Sequence, residues 1–263
     1  MAWDDRRDTV RIEKSIQRLR HFVPTEGYYV AFSGGKDSIV LLDLVRRSGV
    51  KHDAHYSVTT IDPPELVRFI RREYPDVVWD RPEKPFLRKL ETKGFPMRQN
   101  RWCCELYKEN GGNGRMVVTG IRWDESHNRS QRRMLESCHG GGYKSKNKSF
   151  LHPIIDWPTD EVWAYIKVRG LAYCELYDQG WSRIGCLFCP MARQRERIHH
   201  AERYPRMRDA FIKSFERLYA MRKAHGSSSV DRWASGQEMF WWWVAEDAKH
   251  EAHERECPGL GLW

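Results

Sequence analysis

Positions 33–38 have the sequence Ser-Gly-Gly-Lys-Asp-Ser, a composition suited to binding an anion. Glycines let the backbone turn with positive φ and bring amide N–H groups close to a ligand. An apolar run at 27–32 precedes this loop and a helical pattern follows it, so a helix N-terminus would point at the same anion. The spacing is not that of the Walker loop, and the alternative is a plain strand–helix turn. We expect a phosphate cradle made by Ser33, Gly34, Gly35, Lys36, Asp37 and Ser38, with Lys36 as its cation.

Four of the seven cysteines form a second pattern: Cys103 and Cys104 are adjacent, and Cys186 and Cys189 follow 81 intervening residues later. Cysteines used in this way in a cytoplasmic chain indicate metal or redox chemistry rather than structural disulfides. Adjacent thiolates do not easily converge on one tetrahedral zinc ion, whereas an iron–sulfur cube offers each of them a separate iron. We therefore expect a [4Fe–4S] cluster, with zinc or no metal as the alternatives.

The other three cysteines, Cys138, Cys174 and Cys257, stand alone in the sequence. For each of them a small buried side chain or an incidental thiol is the favoured interpretation. Cys138 is followed by a glycine run at 140–142 that would let it approach a substrate, which is a weaker hypothesis.

The elements that must position these residues alternate between strand and helix over the first 190 residues. Short apolar runs predict strands at 27–32, 56–61, 116–121 and 150–155, and helical periodicity predicts helices at 9–22, 39–45, 64–74 and 158–168. This alternation predicts an α/β fold with a parallel sheet and helices on both faces. Strand patterns stop near residue 190, and 191–224 and 235–253 are helical in pattern. We expect an α/β domain at 1–190 and a helical appendage at 191–263.

Composition narrows the class of protein. The 263 residues carry 45 Lys and Arg against 36 Asp and Glu, a net charge of +9, and 40% of them are hydrophobic. No apolar run reaches the roughly 18 residues of a membrane span, and the charged N-terminus has no secretory h-region. We expect a cytoplasmic protein that does not bind membranes and that forms a homo-oligomer. The positive charge favours anionic partners such as nucleotides or nucleic acid.

The C-terminal region is rich in arginine and tryptophan. An Arg-rich stretch at 193–208 and the run Phe-Trp-Trp-Trp-Val at 240–244 would suit stacking on nucleic-acid bases. The favoured interpretation is instead helix packing by Trp233, Phe240, Trp241 and Trp243. The pair His199-His200 has no partner at ligand-like spacing, and we expect both side chains to be solvated.

The motifs resemble a known family when they are taken together. The loop at 33–38 is similar to the PP-loop of the adenine nucleotide α-hydrolase superfamily, and the cysteine pattern is similar to the cluster motif of adenylylsulfate reductases. Segments 120–129, 153–166 and 180–189 also resemble blocks of the phosphoadenosine phosphosulfate (PAPS) reductase-like family. The resemblance implies a Rossmann-like (HUP-type) parallel sheet that binds ATP or another adenine nucleotide. It also implies that the four cysteines hold a [4Fe–4S] cluster. It implies that Gly120, Arg122, Ser126 and Arg129 line the nucleotide pocket.

The resemblance leaves two enzymes and one non-enzyme open. The complete PP-loop suits ATP that is cleaved between its α and β phosphates. In that reaction Lys36 and Arg122 would hold phosphate, and Asp37 or Asp62 would bind Mg²⁺. The adenylated acceptor, for which nucleic acid is one candidate, would then receive sulfur. Alternatively, the chain reduces adenylylsulfate or its 3′-phosphorylated form, with Cys257 as nucleophile. The context of Cys257, Glu-Cys-Pro-Gly-Leu, departs from that of the reductases, since proline follows the cysteine and the histidine is absent. Either enzyme needs a sulfur or electron donor protein. The third possibility is a non-catalytic subunit that binds nucleotide and cluster.

Overall fold

The computed structural model describes residues 5–137 and 147–245. In these residues the chain forms helices α1 (Asp5–His21), α2 (Lys36–Ser48), α3 (Pro64–Glu73), α4 (Phe86–Lys93), α5 (Trp102–Tyr107), α6 (His127–Ser130), α7 (Thr159–Arg169), α8 (Gln194–Arg203), α9 (Pro205–Ala224) and α10 (Gly236–Ala245). The strands are β1 (Tyr28–Ala31), β2 (His52–Ser57), β3 (Val78–Asp80), β4 (Met116–Val118), β5 (Leu135–Ser137) and β6 (Ser149–Leu151). Among the helices described, none is long and apolar enough to cross a bilayer.

The strands form one sheet in the order β3-β2-β1-β4-β6-β5. Every pair is parallel except β5 with β6, so the predicted parallel sheet carries one antiparallel edge strand. Strand order runs outward in opposite directions from the neighbours β1 and β4, in which Val30 lies opposite Val118. Ligands of open α/β sheets bind beyond the carboxyl ends of strands at such a switch point. The segments that leave β1 and β4 there are the 33–38 loop and residues 119–122.

One face of the sheet is covered by α1, α2 and α7. Val30, Val118 and Leu151 lie on three adjacent strands and are fully buried. They pack in this core with the apolar face of α2. Helix α2 begins directly after Gly35 and ends at Gly49, whose φ of 72° closes the helix in the left-handed conformation. Its first turn is therefore fixed by the sheet on one side and by the loop on the other.

A second core holds the C-terminal helices. Phe240, Trp243 and Trp233 are buried there with α9 and with residues of α4 and α5, which confirms helix packing for these aromatic side chains. Trp241 differs, since it is 37% exposed. The predicted helical region is present, and its predicted continuation beyond Ala245 lies outside the described residues. The division at residue 190 stays a prediction.

The strand predicted at 56–61 is wrong in position, because β2 covers His52–Ser57. A search for apolar runs does not detect β2, because one face of this strand is polar. On that face His55 lies between Asp53 and Asp80, with ring-nitrogen-to-oxygen distances of 2.5 and 3.0 Å. Arg115 binds the same Asp53. Strands β3 and β5 were not predicted either, because three residues are too few to show a period.

Candidate functional site

The loop at 33–38 is shaped by its own side chains. Gly34 has a φ of 72°, and a Cβ there would lie 2.8 Å from the side chains of Leu66 and Ile70, so glycine is required for space as well as conformation. The Ser38 hydroxyl donates to the Gly35 carbonyl at 2.8 Å and accepts from the Ser33 amide at 3.2 Å. Hydrogen bonds within the loop and the glycine at position 34 therefore maintain its curved conformation.

Arg122 fixes Asp37 inside the loop. The Arg122 side chain is 1% exposed, and its Nε donates to Asp37 Oδ1 at 2.7 Å. Its other two nitrogens donate to the Trp157 carbonyl at 2.9 Å and to Thr159 Oγ1 at 3.2 Å. Lys36 Nζ lies 3.3 Å from Asp37 Oδ2. All three guanidinium nitrogens thus contact protein groups, and the expected role of Arg122 as a phosphate clamp stays a prediction.

Gly120 lets β4 approach the start of α2. A Cβ at Gly120 would lie 2.9 Å from the carbonyl carbon of Asp37, a distance too short for any side chain. Gly120 thus sets the separation between the loop and the strand end that carries Arg122. Its role in the structure is close packing.

Ser126 and Arg129 lie together after β4. The Ser126 hydroxyl accepts from the Arg129 amide at 3.3 Å and caps α6. The Arg129 guanidinium pairs with Glu125. Burial lowers the pKa of Arg129, Glu125 opposes that effect, and the nearby charge of Arg183 lowers it further. The charges of Arg129 and Arg183 therefore interact in this region, and Arg183 was not among the predicted site residues.

Tyr177 is a second residue that the sequence did not indicate. Its hydroxyl accepts from the Lys36 backbone amide at 3.0 Å, one of the N–H groups at the start of α2. Burial raises the pKa of Tyr177, so its hydroxyl stays neutral. The contact joins residues 141 positions apart, and no local pattern could have revealed it.

The four motif cysteines come together although they arise from two distant segments. The pKa of Cys104 is lowered to about 6, mainly by a hydrogen bond with Cys103. Burial opposes this effect, and the charges of Lys108 and Arg101 lower the pKa further. The same hydrogen bond, burial and the charges of Cys104, Cys189 and Cys186 raise the pKa of Cys103. The thiols are thus close enough to influence one another's ionisation.

Lys108 and Asp62 share this cysteine site. Burial alone would lower the pKa of Lys108, but the charges of Cys186, Asp62, Cys104 and Cys189 raise it. Burial raises the pKa of Cys186 to about 12, against the effect of Lys108. Asp62 Oδ2 accepts from the Tyr56 hydroxyl at 2.6 Å and from the Thr59 amide at 3.4 Å. Asp62 therefore lies at the cysteine site with an oxygen already engaged, and Lys108 is a site residue that the sequence analysis missed.

The arrangement of the thiols bears on which metal they could hold. Across residues 5–137 and 147–245, no group of three or more His, Cys, Asp or Glu side chains surrounds a point where one metal ion would sit. A cluster needs no such convergence, since each thiolate binds its own iron. The four thiols influence one another and Lys108 electrostatically, and their binding of a multi-iron group stays a prediction.

Sequence comparison identifies the family of the chain. Residues 27–192 match the phosphoadenosine phosphosulfate reductase domain. The chain belongs to this family. The matched span begins just before β1 and ends just after Cys189, so this PAPS reductase-like domain includes both the loop and the four cysteines.

Individual relatives fall into two groups. Two uncharacterized proteins of Methanocaldococcus jannaschii are 31% and 29% identical over 68% and 81% of this chain. The chain spans only 39% and 56% of their lengths. An adenosine 5′-phosphosulfate reductase of Halalkalibacterium halodurans is 28% identical over 60% of this chain and 72% of its own.

Solved structures support the fold of this PAPS reductase-like domain. A phosphoadenylyl-sulfate reductase from Candida auris, in a phosphate complex, superposes with a TM-score of 0.50 at 18% identity, covering 71% of this chain and 97% of its own. An FMN adenylyltransferase from Candida glabrata gives the same TM-score at 16% identity, over 71% of this chain and 66% of its own. At these identities the likeness establishes the HUP-type α/β fold.

The isolated cysteines of the domain have separate outcomes. Cys174 is fully buried in the first core, as expected of a small apolar side chain. Cys138 and Cys257 lie outside the described residues, and so does the glycine run at 140–142. The role of Cys257 as a nucleophile stays a prediction.

The domain also has a cavity of about 420 Å³, which residues 33–38 do not line. Tyr29, His55 and Asp80 from the outer face of the sheet line one side of it, and the 110–113 segment lines the other. Tyr29 stacks on His55 with ring centroids 4.2 Å apart and donates to Asp80 at 2.7 Å. The cavity belongs to the edge of the sheet and to the segment following α5.

Proposed function

We propose that this domain is an ATP-using PP-loop enzyme that adenylates an acceptor and supports sulfur transfer with a [4Fe–4S] cluster at Cys103, Cys104, Cys186 and Cys189. The observation that carries the proposal is a single segment, 177–189. It contacts the phosphate loop at one end, where Tyr177 meets Lys36, and carries two of the four cysteines at the other. This segment would thereby connect the nucleotide chemistry with the sulfur chemistry.

The loop side supplies the adenylation step. Amides of the loop and the first turn of α2, with Lys36, would bind the β and γ phosphates and stabilise the charge on the leaving pyrophosphate. The acceptor oxygen attacks the α phosphorus, the bond from that phosphorus to the bridging oxygen breaks, and AMP stays on the acceptor. Asp37, held by Arg122, is the carboxylate that would share a Mg²⁺ with phosphate oxygens. Asp62 is less suited, since Tyr56 and Thr59 engage its Oδ2.

The cysteine side fits the cluster by its donor set. The four thiols influence one another's ionisation, and Lys108 would offset the negative charge that accumulates when they ionise. When bound, a [4Fe–4S] cluster would supply a place to hold sulfur or electrons next to the adenylated atom. Asp62 and Tyr56 flank this region and would limit its access to water.

The acceptor that we propose is a nucleic acid. Residues 191–245 carry eleven Lys and Arg against six Asp and Glu, and Trp241 is partly exposed among them. Phosphate contacts by such a surface would make binding fall steeply as salt concentration rises. Binding of tRNA or DNA at increasing salt, measured by fluorescence anisotropy, would reveal this dependence.

The second candidate is a reductase, favoured by the adenosine 5′-phosphosulfate reductases among the relatives. In that reaction a cysteine thiolate, with Cys257 as the candidate, attacks the sulfur of adenylylsulfate and AMP leaves. A dithiol donor protein of the thioredoxin kind then reduces the resulting thiosulfonate, releasing sulfite and becoming a disulfide. The Cys257→Ser variant would abolish sulfite release.

The two candidates are separated by their products. Anaerobically prepared protein is given ATP with nucleic acid in one assay and adenylylsulfate with a dithiol in the other. Pyrophosphate from ATP, with no sulfite from adenylylsulfate, is the result we expect. Sulfite alone would replace our proposal by the reductase, and neither product would indicate a non-catalytic subunit.

A further inference from the structure

The turn between Cys186 and Cys189 is held from two sides. Its two central residues, Leu187 and Phe188, are both fully buried in the second core. The Leu187 amide donates to the Ile61 carbonyl at 2.9 Å, next to Asp62 in the segment after β2. The Phe188 amide donates to Nδ1 of His200 on α8 at 3.2 Å. Successive amides thus attach the turn to the sheet domain and to the C-terminal helices.

Phe188 has an unusual conformation. Its φ is 56°, in the left-handed region that residues with a Cβ seldom occupy. Such a conformation persists only where surrounding contacts enforce it. The Phe188 ring packs against Phe211 and Phe240, while its amide is bound by His200. The side chain and the backbone are therefore both fixed by the helices that follow residue 190.

His200 is itself held firmly, contrary to the expectation that it is solvated. It is 5% exposed, and its ring stacks on Trp181 with centroids 5.0 Å apart. Burial, with a smaller effect of His199, lowers its pKa to about 4, so Nδ1 keeps a free lone pair. Its helix is anchored in turn, because Arg197 donates to the Trp243 carbonyl at 2.8 Å. Only His199 of the pair is exposed.

We propose that His200 is a positioning residue for the cysteine site: by accepting the Phe188 amide it holds the Cys186–Cys189 turn in its left-handed conformation and couples helices α8–α10 to the two thiols. This inference rests on the proposed function only in taking the cysteines to be a metal site. The helical region then completes the site without supplying a ligand.

The test compares three variants. His200→Phe keeps a ring that can stack on Trp181 but has no acceptor, whereas His200→Asn loses the ring and keeps an oxygen near the position of Nδ1. His199→Asn is the matched control, since that side chain is exposed. Alkylation of each cysteine is followed by mass spectrometry in metal-free protein, and iron loss to a chelator is followed in reconstituted protein.

H200F is expected to raise the alkylation rates of Cys186 and Cys189 about fivefold, the equilibrium factor of one lost hydrogen bond. In H200F, Cys103 and Cys104 should react as in the unmodified protein. The alkylation rates of Cys186 and Cys189 in H200N should lie nearer to those of the unmodified protein, and in H199N they should equal them. Reconstituted H200F should lose iron faster. Unchanged rates in H200F, or an equal rise at all four cysteines, would overturn the inference.

Hydrogen exchange on the unmodified protein keeps the inference testable if H200F does not fold. The Phe188 amide should be protected to the same degree as that of Leu187, and exchange at the rate of an unstructured chain would contradict the proposed bond. Failure of the proposed function is a distinct result. If the unmodified protein takes up no iron, the cluster is absent, while alkylation and exchange still decide the role of His200.

Discussion

The phosphate loop and the cysteine site are built in different ways. The loop is mainly local: within six consecutive residues, Ser38 hydrogen-bonds with both Ser33 and Gly35. The cysteine site is assembled from segments some eighty residues apart, with Asp62 and Lys108 brought in from elsewhere. The geometry of the loop thus comes mainly from hydrogen bonds between neighbouring residues, whereas the cysteines are brought together only by the packing of distant elements.

The two regions also differ in electrostatics. In the loop, the Asp37 carboxylate is matched by Arg122 and Lys36. At the cysteines, the pKa of Cys104 is lowered while those of Cys103 and Cys186 are raised, so not all the thiols can ionise together. A cationic iron group would relieve that conflict by taking up the thiolate charge. Under the proposed function, the loop would bind an anion and the cysteine site would bind a cationic group.

The largest expected effect is on iron. In Cys186→Ser the hydroxyl is a poor iron ligand, and we expect nearly all iron to be lost after reconstitution, measured by metal analysis. ATP affinity should change less than about twofold, because the loop is built separately. Cys174→Ala, a buried cysteine outside the motif, is the control that should keep its iron. Loss of ATP binding in C186S would show that the two regions are not separate.

The reciprocal variant is Lys36→Ala. It removes the loop cation, and pyrophosphate release should fall about 100-fold or more, the usual cost of one charge-stabilising donor at a reaction centre. Iron content should stay as in the unmodified protein. Lys93→Ala, at an exposed position at the end of α4, should match the unmodified protein in both measurements. Full activity in K36A would remove Lys36 from the mechanism.

A smaller effect concerns the charge at the cysteines. In metal-free protein, alkylation of Cys104 should rise with pH around a midpoint below the ordinary thiol value, since the thiolate is the reactive form and the hydrogen bond with Cys103 and the nearby cations lower its pKa. Lys108→Met removes a cation that stabilises the thiolate. The midpoint should then move to higher pH, toward the ordinary thiol value of about 8.5. An unmoved midpoint would place Lys108 outside the site.

The smallest expected effect is at Tyr177. Its hydroxyl occupies the Lys36 amide, a group that a phosphate would use. Tyr177→Phe frees that amide, and we expect ATP to bind about threefold more tightly by calorimetry, in keeping with the net worth of one hydrogen bond. Weaker binding would instead mean that Tyr177 donates to the phosphate. Tyr173→Phe, at a tyrosine that precedes Tyr177 in the chain and whose hydroxyl contacts Asp178, is the control that should leave ATP affinity unchanged.

How far the sequence predicts the structure follows the same division. The loop, its flanking strand and helix, and the cysteine spacing are local patterns, and the α/β fold follows from their alternation. Strand β2 was misplaced because hydrogen bonds among Asp53, His55 and Asp80 stabilise a polar strand face that has no apolar period. Tyr177, Lys108 and His200 were missed since their contacts depend on tertiary packing. No spacing in the sequence could show that Phe188 turns left-handed against His200.

The measurement that tests the central claim most directly is iron and sulfide analysis of the chain purified without oxygen, with Mössbauer spectra of the bound iron. The account predicts about four irons and four sulfides per chain, lost together in C186S. One zinc per chain, or a metal-free chain that resists reconstitution, would contradict a cluster held by Cys103, Cys104, Cys186 and Cys189.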